Sequence, residues 1–355
     1  MDLQKIDKNF VLNNVTRTDV SWFNPKEKPF SIHGLLYDNE VNQYTRMPLS
    51  TAITVSRDVH YLARFNAGGR IRFKTNSDFI ALKVIETKYF DIMLHMPIAG
   101  EYGFSVYVDK KYLKFICPSQ TDIVGKTETI TFDGLVNLDG KLHDIEIYFP
   151  LYYCVKEVLV GLNESSSVLP PDEYTYPKPV VFYGSSITQG AAASHAGNDY
   201  VNLLSRLLDT DIINLGFSGN AKGEQNMAKY ISSLDTSVIV LDYDYNAPTV
   251  EHLENTHYPF YQTIRKNRPN TPIIFISKPD FENGVNGAKR RDVILASYKK
   301  AISSGDKLVD FIDGQTLFGT ENRDCCTVDG GHPNDLGFYR MATTIMPTLK
   351  KWLEK

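Results

Sequence analysis

The sequence predicts a doubly wound α/β domain preceded by an all-β domain of the sandwich or jelly-roll type. In residues 179–355, short apolar runs such as Val238-Ile239-Val240-Leu241 alternate with longer amphipathic segments. This is the pattern of parallel strands that are buried on both faces and separated by helices. In residues 1–165, runs rich in β-branched and aromatic residues follow one another across turn signals, without a convincing amphipathic helix. That pattern favours two packed antiparallel sheets.

The first half contains four clear strand patterns, separated by Gly- and Asp-rich turn signals. They cover residues 71–74, 79–85, 104–108 and 145–149. Residues 166–178, which follow this half, are rich in serine and proline. Such a composition predicts a linker between the two domains.

The second half is predicted to alternate five strands with five helices. The strands are expected at 179–184, 211–215, 237–242, 272–277 and 308–312, and the helices at 198–209, 223–234, 250–268, 287–304 and 335–354. The last helix carries an apolar stripe that is suited to packing on the sheet, made of Phe338, Met341, Ile345, Leu349 and Trp352. Ligands of such a domain bind at the carboxyl ends of the strands.

Composition excludes several classes of function. The 355 residues are 42% hydrophobic and 23% charged, with a net charge of -4, so there is no basic excess for a nucleic-acid partner. No apolar run reaches the roughly 20 residues of a membrane-spanning helix. Residues 1–8 lack the apolar core of a signal peptide, which predicts a cytoplasmic protein unless a signal has been removed.

The four cysteines are not spaced as metal ligands. They are Cys117, Cys154, Cys325 and Cys326, without a Cys-x-x-Cys pair. This spacing does not indicate zinc. We expect the adjacent Cys325 and Cys326 to be reduced structural residues, and no metal or cofactor is predicted.

The most informative segment is a strand that ends in a serine. Residues 179–184 form an apolar run, and Ser186 follows at the edge of the sheet where ligands bind. Backbone N–H groups of such a turn point towards the group that the hydroxyl attacks. A Gly/Ser turn that merely joins a strand to a helix is the alternative interpretation of this segment alone.

Two other motifs do not fit this turn. A phosphate-binding P-loop needs four residues between its glycines and a following lysine, whereas Gly184 and Gly190 are separated by five residues and no lysine follows. The nucleophile elbow of α/β-hydrolases needs Gly-x-Ser-x-Gly. Its last position is Thr188 here.

A second segment supplies a carboxylate and an imidazole. Asp329 precedes His332 by three residues, and the Gly330-Gly331 pair between them permits a sharp turn. The carboxylate can then hold one ring nitrogen while the other faces Ser186 as a general base. Taken alone, His332 is better explained as a capping or packing histidine, and only the joint pattern with Ser186 favours the general base. Asn334 or Asp335 is the expected N-cap of the last helix.

Two further loops follow strands at the same edge. Gly219 follows the second strand and offers a backbone N–H, and Asn246 follows the third and offers a side-chain amide. Together with the N–H of Ser186, they are candidate donors to a tetrahedral oxyanion. Glycine and asparagine are also ordinary turn residues in such loops.

These four segments, in this order, resemble the SGNH (GDSL-like) hydrolase family. Gly184-Ser185-Ser186-Ile187 is similar to its first block, with serine in place of the usual aspartate before the nucleophile. Gly219 matches the glycine of the second block, and Asn246 matches the asparagine of the third. Asp329 and His332 match the fifth block.

The resemblance implies a three-layer, flavodoxin-like α/β/α domain that hydrolyses an ester through an acyl-serine intermediate, without metal or cofactor. It implies Ser186 as nucleophile, His332 as base and Asp329 as orienting acid. It also implies that Ser186, Gly219 and Asn246 form the oxyanion hole.

The all-β half carries a second resemblance. Gly103-Phe104-Ser105-Val106-Tyr107 is similar to the Gly-x-Asp-Leu-Tyr signature of the β-sandwich that precedes some SGNH esterase domains. Chains with that arrangement are similar to two-domain carbohydrate esterases that remove acetyl groups. Our leading hypothesis is therefore a serine esterase that removes O-acetyl or other short acyl groups from a small or oligomeric carbohydrate.

The sequence also permits functions of other classes. A flavin- or phosphate-binding protein would also use residues 186–190, but it would leave Asp329 and His332 without a role. A catalytically silent carbohydrate-binding protein, a short-chain lipase, a thioesterase and an acyltransferase are further alternatives.

The role of the all-β half is likewise open. It is expected to bind sugar, to complete a wall of the active site, or to mediate homo-oligomerisation. His95, in a turn-like segment with Met96 and Pro97, is placed to reach across the domain interface, and His195 to line the pocket. Histidines in such segments are more often ordinary surface residues.

Overall fold

The computed structural model describes residues 14–90, 92–280, 282 and 284–355. Residues 1–8, from which the absence of a signal peptide was inferred, lie outside these ranges, as does the start of the predicted all-β domain.

The first half forms two antiparallel sheets packed face to face. In chain order, strands β1 to β12 are Val20–Phe23, Ser31–His33, Leu36–Asp38, Gln43–Thr45, Arg70–Thr75, Phe79–Thr87, Phe104–Val108, Lys111–Ile116, Thr129–Asn137, His143–Tyr148, Cys154–Asn163 and Val168–Leu169. One sheet has the order β1-β11-β6-β9 and the other the order β12-β5-β10-β7-β8, with β2 paired to β5 and a separate pair β3-β4. Buried apolar residues of both sheets share one core, among them Phe73, Leu82 and Val106.

Among its described residues, this half also contains four short helices, so the expectation that it held no convincing helix was wrong. They are α1 Leu49–Val55, α2 Arg57–Leu62, α3 Ile98–Glu101 and α4 Gln120–Ile123. Each is shorter than the window of roughly 11 residues over which helical periodicity can be recognised. Local caps stabilise two of them: the side chain of Ser56 accepts a hydrogen bond from Val59 N, and Ser119 forms a capping box with Asp122.

The second half is a parallel five-stranded sheet of order β14-β13-β15-β16-β17 with helices on both faces, which confirms the predicted doubly wound fold. Consecutive residues of β13 enter opposite cores: Phe182 packs with the last helix, and Tyr183 packs on the other face. The strands are β13 Tyr176–Gly184, β14 Thr210–Gly216, β15 Val238–Asp242, β16 Ile273–Ile276 and β17 Val309–Ile312. The helices are α5 Ser186–Gln189, α6 Tyr200–Leu208, α7 Gln225–Ser233, α8 Val250–Asn267, α9 Gly287–Ser303 and α10 Asp335–Leu353.

Residues 166–178, predicted as a linker, contain regular structure. Val168–Leu169 pairs with β5, and β13 begins at Tyr176. The division into residues 1–165, 166–178 and 179–355 stays a prediction.

The two halves are joined by buried polar contacts close to β14. The buried guanidinium of Arg70 forms an ion pair with Asp211, and Arg46 donates to the carbonyl oxygens of Leu62 (2.7 Å) and Gly216. Strand β14 of the parallel sheet is therefore fixed in part by side chains of the all-β half.

Within the described ranges, no helix has the length and apolarity needed to cross a bilayer. The four cysteines are all free, with Cys325 exposed and Cys326 buried.

Candidate active site

Ser186 is the first residue of α5, directly beyond the carboxyl end of β13. Ser185 caps this short helix, because its Oγ accepts a hydrogen bond from Ile187 N at 3.2 Å. A Cβ at Gly184 would overlap Thr188 and the carbonyl oxygen of Asp242, so only glycine fits before the two serines. The N–H of Ser186 belongs to the first helical turn, where amides have no acceptor within the helix. Hydroxyl and amide thus lie together at the edge of the sheet.

His332 and Asp329 lie in the turn that precedes α10. Asp329 Oδ1 accepts hydrogen bonds from the N–H groups of Gly331 (3.0 Å) and His332 (2.7 Å), and its Oδ2 lies 2.7 Å from His332 Nδ1. Gly330 makes the turn with a φ of 78°. On the other side of the ring, Nε2 lies 2.9 Å from Ser186 Oγ. Two consecutive hydrogen bonds therefore join the three predicted residues Ser186, His332 and Asp329.

The carboxyl group of Asp329 is held ionised. Partial burial favours its neutral form, but the donors from His332 and Gly331 outweigh it and lower the pKa of Asp329 to about 2. An ionised carboxylate at Nδ1 fixes the tautomer with the proton on Nδ1. Nε2 is then free to accept a proton from the serine hydroxyl.

Backbone hydrogen bonds hold the turn that carries His332 in place on both sides. Val328 N donates to His332 O at 3.0 Å, and Ala192 N, from the segment after α5, donates to Pro333 O at 2.9 Å. Asn334, one of the two residues expected to cap α10, is its N-cap, and its Oδ1 accepts a hydrogen bond from Gly337 N at 3.1 Å. Asp335 instead accepts from Ser194 N at 2.9 Å. These contacts tie the segment that carries His332 to the segment that follows Ser186.

Gly219 and Asn246 lie in the loops that follow β14 and β15, the two neighbours of β13 in the sheet. Asn246 Oδ1 accepts from Ala221 N at 3.3 Å, which joins the two loops and leaves the Nδ2 donor of the amide for a ligand. Gly219 has a φ of 68°, and the space where its Cβ would lie is open. Both predicted donors therefore come from strands that flank the strand of Ser186.

His95 and His195, the two histidines that the sequence marked as candidates, lie in different environments. The ring of His95 lies against that of His332, with centroids 5.1 Å apart. His195 instead stacks on Tyr112 at 4.0 Å and lies 3.4 Å from Ser105 Oγ, between the two halves. Only His95 contacts the candidate site directly.

Three residues near the site were missed. Arg46 holds the carbonyl of Gly216 at the end of β14, and the hydroxyl of Tyr152 lies 3.3 Å from Ser186 O. Asp242 accepts from the hydroxyls of Thr188 (3.1 Å) and Tyr200 (2.9 Å). Burial, followed by the nearby Asp244, raises the pKa of Asp242 to about 7. The position of Asp242 at the end of a predicted strand could have marked it as a site residue, whereas no local sequence pattern marks Arg46 or Tyr152.

Comparison with known families covers both halves of the chain. Residues 177–350 match the family described as GDSL-like Lipase/Acylhydrolase, and residues 20–168 match the one described as the N-terminus of Esterase_SGNH_hydro-type. No curated protein matches the chain.

Solved structures similar to this chain share its whole architecture. A GDSL-like lipase candidate from Bacteroides ovatus is 26% identical, with 94% of this chain and 98% of that chain covered and a TM-score of 0.83. The salicylyl-acyltransferase SsfX3 of a tetracycline biosynthetic pathway is 19% identical, with 94% and 98% covered and a TM-score of 0.75. The acetyl xylan esterase Est2A of the rumen bacterium Butyrivibrio proteoclasticus is 13% identical, with 95% and 99% covered and a TM-score of 0.59. At their low identities, the last two show the fold alone.

The matched families, together with the fold, show that the chain belongs to the GDSL-like lipase/acylhydrolase family of carboxylic ester hydrolases, with the N-terminal domain of SGNH-type esterases.

Proposed function

We propose that this protein is a serine esterase that removes O-acetyl or other short acyl groups from carbohydrates. The proposal rests on two consecutive hydrogen bonds, one between Ser186 Oγ and His332 Nε2 (2.9 Å) and one between His332 Nδ1 and Asp329 Oδ2 (2.7 Å). A neutral hydroxyl becomes reactive when a base accepts its proton and a carboxylate orients that base.

In the first step, Ser186 Oγ attacks the ester carbonyl carbon while its proton passes to His332 Nε2. Asp329 stabilises the resulting imidazolium. The N–H groups of Ser186 and Gly219 and Nδ2 of Asn246 donate hydrogen bonds to the negatively charged carbonyl oxygen. When the carbonyl re-forms, the bond to the alcohol breaks, and the alcohol leaves with the proton from Nε2.

In the second step, water gives a proton to His332 Nε2 and attacks the acyl-serine carbonyl. The second tetrahedral intermediate collapses, the proton returns to Ser186 Oγ, and the carboxylic acid is released. One ester and one water are thus converted to one alcohol and one acid, and every proton is carried by His332.

The carbohydrate part of the proposal rests on the domain arrangement. The same two-domain fold occurs in the acetyl xylan esterase Est2A, and fold alone does not define a substrate. A second candidate is acyl transfer to an alcohol acceptor, because the salicylyl-acyltransferase SsfX3 has the same fold at a TM-score of 0.75. In that case an acceptor hydroxyl would replace water in the second step.

The test is acetate release from acetylated xylo-, manno- and sialo-oligosaccharides by wild type, Ser186→Ala and Ser185→Ala. Ser186→Ala should lower kcat by roughly 10³-fold or more. Ser185→Ala is the matched control: it removes only the cap, should cost about 1 kcal/mol of stability, and should keep most of the activity. Turnover retained in Ser186→Ala would refute the proposed nucleophile. Ser186-dependent cleavage of an aryl ester alone would move the substrate away from sugars, and acylated acceptors formed in place of acetate would favour acyl transfer.

A further inference from the structure

A groove of about 770 Å³ opens between the two halves, beside His332. One wall is the segment Leu94 to Pro97 of the all-β half, and the other is formed by Val328 and the start of α10 with Leu336. The volume lies within the range of small-molecule sites in proteins. The groove reaches His332 through two contacts: the ring of His95 lies beside the ring of His332 in a tilted arrangement, and Val328 N donates to the carbonyl oxygen of His332.

The walls of this groove expose apolar side chains. Leu94 is fully exposed, and Val328 and Leu336 are 48% and 40% exposed. Clustered apolar groups that stay in water mark binding surfaces more often than single exposed leucines do. The segment that carries Leu94 is also fixed, because Met93 N donates to Glu101 Oε2 at 3.0 Å and Met96 is buried. The wall of the groove that carries Leu94 is therefore held in a defined position at the junction of the two halves.

The position of the groove relative to the reacting atoms decides which half of an ester it receives. A general base that has taken the serine proton returns it to the leaving group, so the leaving oxygen lies within reach of His332 Nε2. The groove adjoins His332. The candidate oxyanion donors Gly219 and Asn246 lie instead on the loops after β14 and β15. The alcohol half therefore leaves on the side of the groove.

We propose that this groove binds the alcohol half of the substrate, and that it takes an alcohol with a broad apolar face, such as an aryl group or the apolar face of a sugar ring. Leu94, Leu336 and Val328 supply the apolar contacts, and His95, whose ring lies beside that of His332, supplies a polar group. The inference rests on the proposed roles of Ser186 and His332, and it assigns the specificity of the enzyme for alcohols to residues of both halves.

The test separates the two halves of the ester. The ratio of kcat/KM for 2-naphthyl acetate to that for ethyl acetate reports on the alcohol, and the ratio of 2-naphthyl butyrate to 2-naphthyl acetate reports on the acyl chain. Comparing each ratio between variant and wild type cancels the different chemical reactivities of the esters. In Leu94→Ser/Leu336→Ser, the alcohol ratio should fall roughly tenfold and the acyl ratio should stay constant.

Leu207→Ser is the matched control, because Leu207 is a 49% exposed helical leucine that does not line the groove. It should change neither ratio. Leu94→Ser alone should give a smaller change in the same direction and tests the idea if the double variant folds poorly. A change in the acyl ratio instead, or no change in either ratio, would overturn the proposal.

Failure of the proposed function has a different signature. Ester cleavage that persists in Ser186→Ala, or an enzyme that is silent on all three esters and is not labelled by a fluorophosphonate, would remove the catalytic assignment and the groove's role with it. Intact Ser186-dependent cleavage with unchanged ratios would overturn the groove alone.

Discussion

The imidazole ring of His95 lies against that of His332, with ring centroids 5.1 Å apart and planes inclined at 34°. The two rings come from different halves of the chain, so the all-β half completes one wall of the candidate site. Partial burial, followed by the neighbouring His332, lowers the pKa of His95 below its usual value of 6.5. His95 is therefore neutral at neutral pH, and it can lie beside His332 without opposing the imidazolium that the proposed mechanism places on His332.

We predict that His95→Gln extends activity towards acidic pH. In the proposed mechanism an imidazolium forms on His332, and a charged His95 would oppose it. Protonation of His95 at low pH should therefore lower the activity of the wild-type enzyme. The glutamine stays neutral, so the acid limb of kcat/KM should move down by a few tenths of a pH unit. The measurement is kcat/KM for an aryl acetate between pH 5 and 8.

His60→Gln provides the control for this experiment. The pKa of His60 is also lowered by burial, but this residue lies on α2 beside Arg64. It should leave the acid limb where it is. A His95→Gln profile that overlays the wild-type profile would show that the contact between the rings has no electrostatic consequence.

We predict that Asp329→Asn lowers kcat by roughly 10³- to 10⁴-fold without unfolding the protein. The amide oxygen can still accept from the N–H groups of Gly331 and His332, so the turn is retained. The amide NH₂ then faces His332 Nδ1 as a donor and selects the tautomer with the proton on Nε2, which cannot take the proton of Ser186. Asp324→Asn, on an exposed residue of the same segment, is the control. Near-normal turnover by a folded Asp329→Asn enzyme would contradict the orienting role.

We predict that Arg46→Met lowers both stability and kcat. The buried guanidinium donates to the carbonyl oxygens of Leu62, Asn214 and Gly216, and it lies over the ring of Phe217 at 4.7 Å. Its loss leaves buried carbonyl groups unpaired, at a cost of about 2–5 kcal/mol. The same loss loosens the start of the loop that carries Gly219.

The distinguishing readout for Arg46 is the division between kcat and KM. If Arg46 positions the oxyanion loop, kcat should fall at temperatures where the variant is fully folded, and KM should change little. Arg57→Met, on an exposed arginine, should alter neither stability nor kcat. Full kcat in a folded Arg46→Met enzyme would reduce Arg46 to a purely structural role.

The parts that sequence predicted best are those governed by local patterns. The parallel strands were expected within a few residues of their observed ends, because each is an apolar run bounded by polar turns. Parallel topology then brings the end of β13 and the loops after β14 and β15 to one edge, so Ser186, Gly219 and Asn246 were predictable as neighbours. Asp329 and His332 were predictable because three residues of spacing suffice for their contact.

The parts that were missed depend on contacts between distant segments. Arg46 meets Gly216 across 170 residues of sequence, and nothing around Arg46 marks it as buried. His95 was named only as a residue able to reach the interface, because a short turn does not reveal what it faces. Helices α1 and α2 were missed because 7 and 6 residues are too few to show a helical period.

His257 is a buried histidine of α8. Neither ring nitrogen of His257 has a hydrogen-bond partner among the described residues, and its ring stacks on Tyr243 at 5.3 Å. Burial lowers the pKa of His257 from 6.5 to about 3. Below about pH 6.5 the unfolded chain therefore binds a proton that the folded protein does not, and the folded state loses stability as the pH falls.

His257→Phe keeps an aromatic ring in the stack and removes this titration. Its stability relative to wild type should rise as the pH falls from about 6.5 towards 3, by at most about 1.4 kcal/mol per pH unit. Urea unfolding at pH 8, 6.5 and 5 measures the difference. Phe260→Leu, a buried and non-titrating change on the same helix, should cost the same free energy at each pH. A difference between His257→Phe and wild type that is constant across the three pH values would show that His257 is protonated in the folded protein, which requires a partner for its ring inside the core.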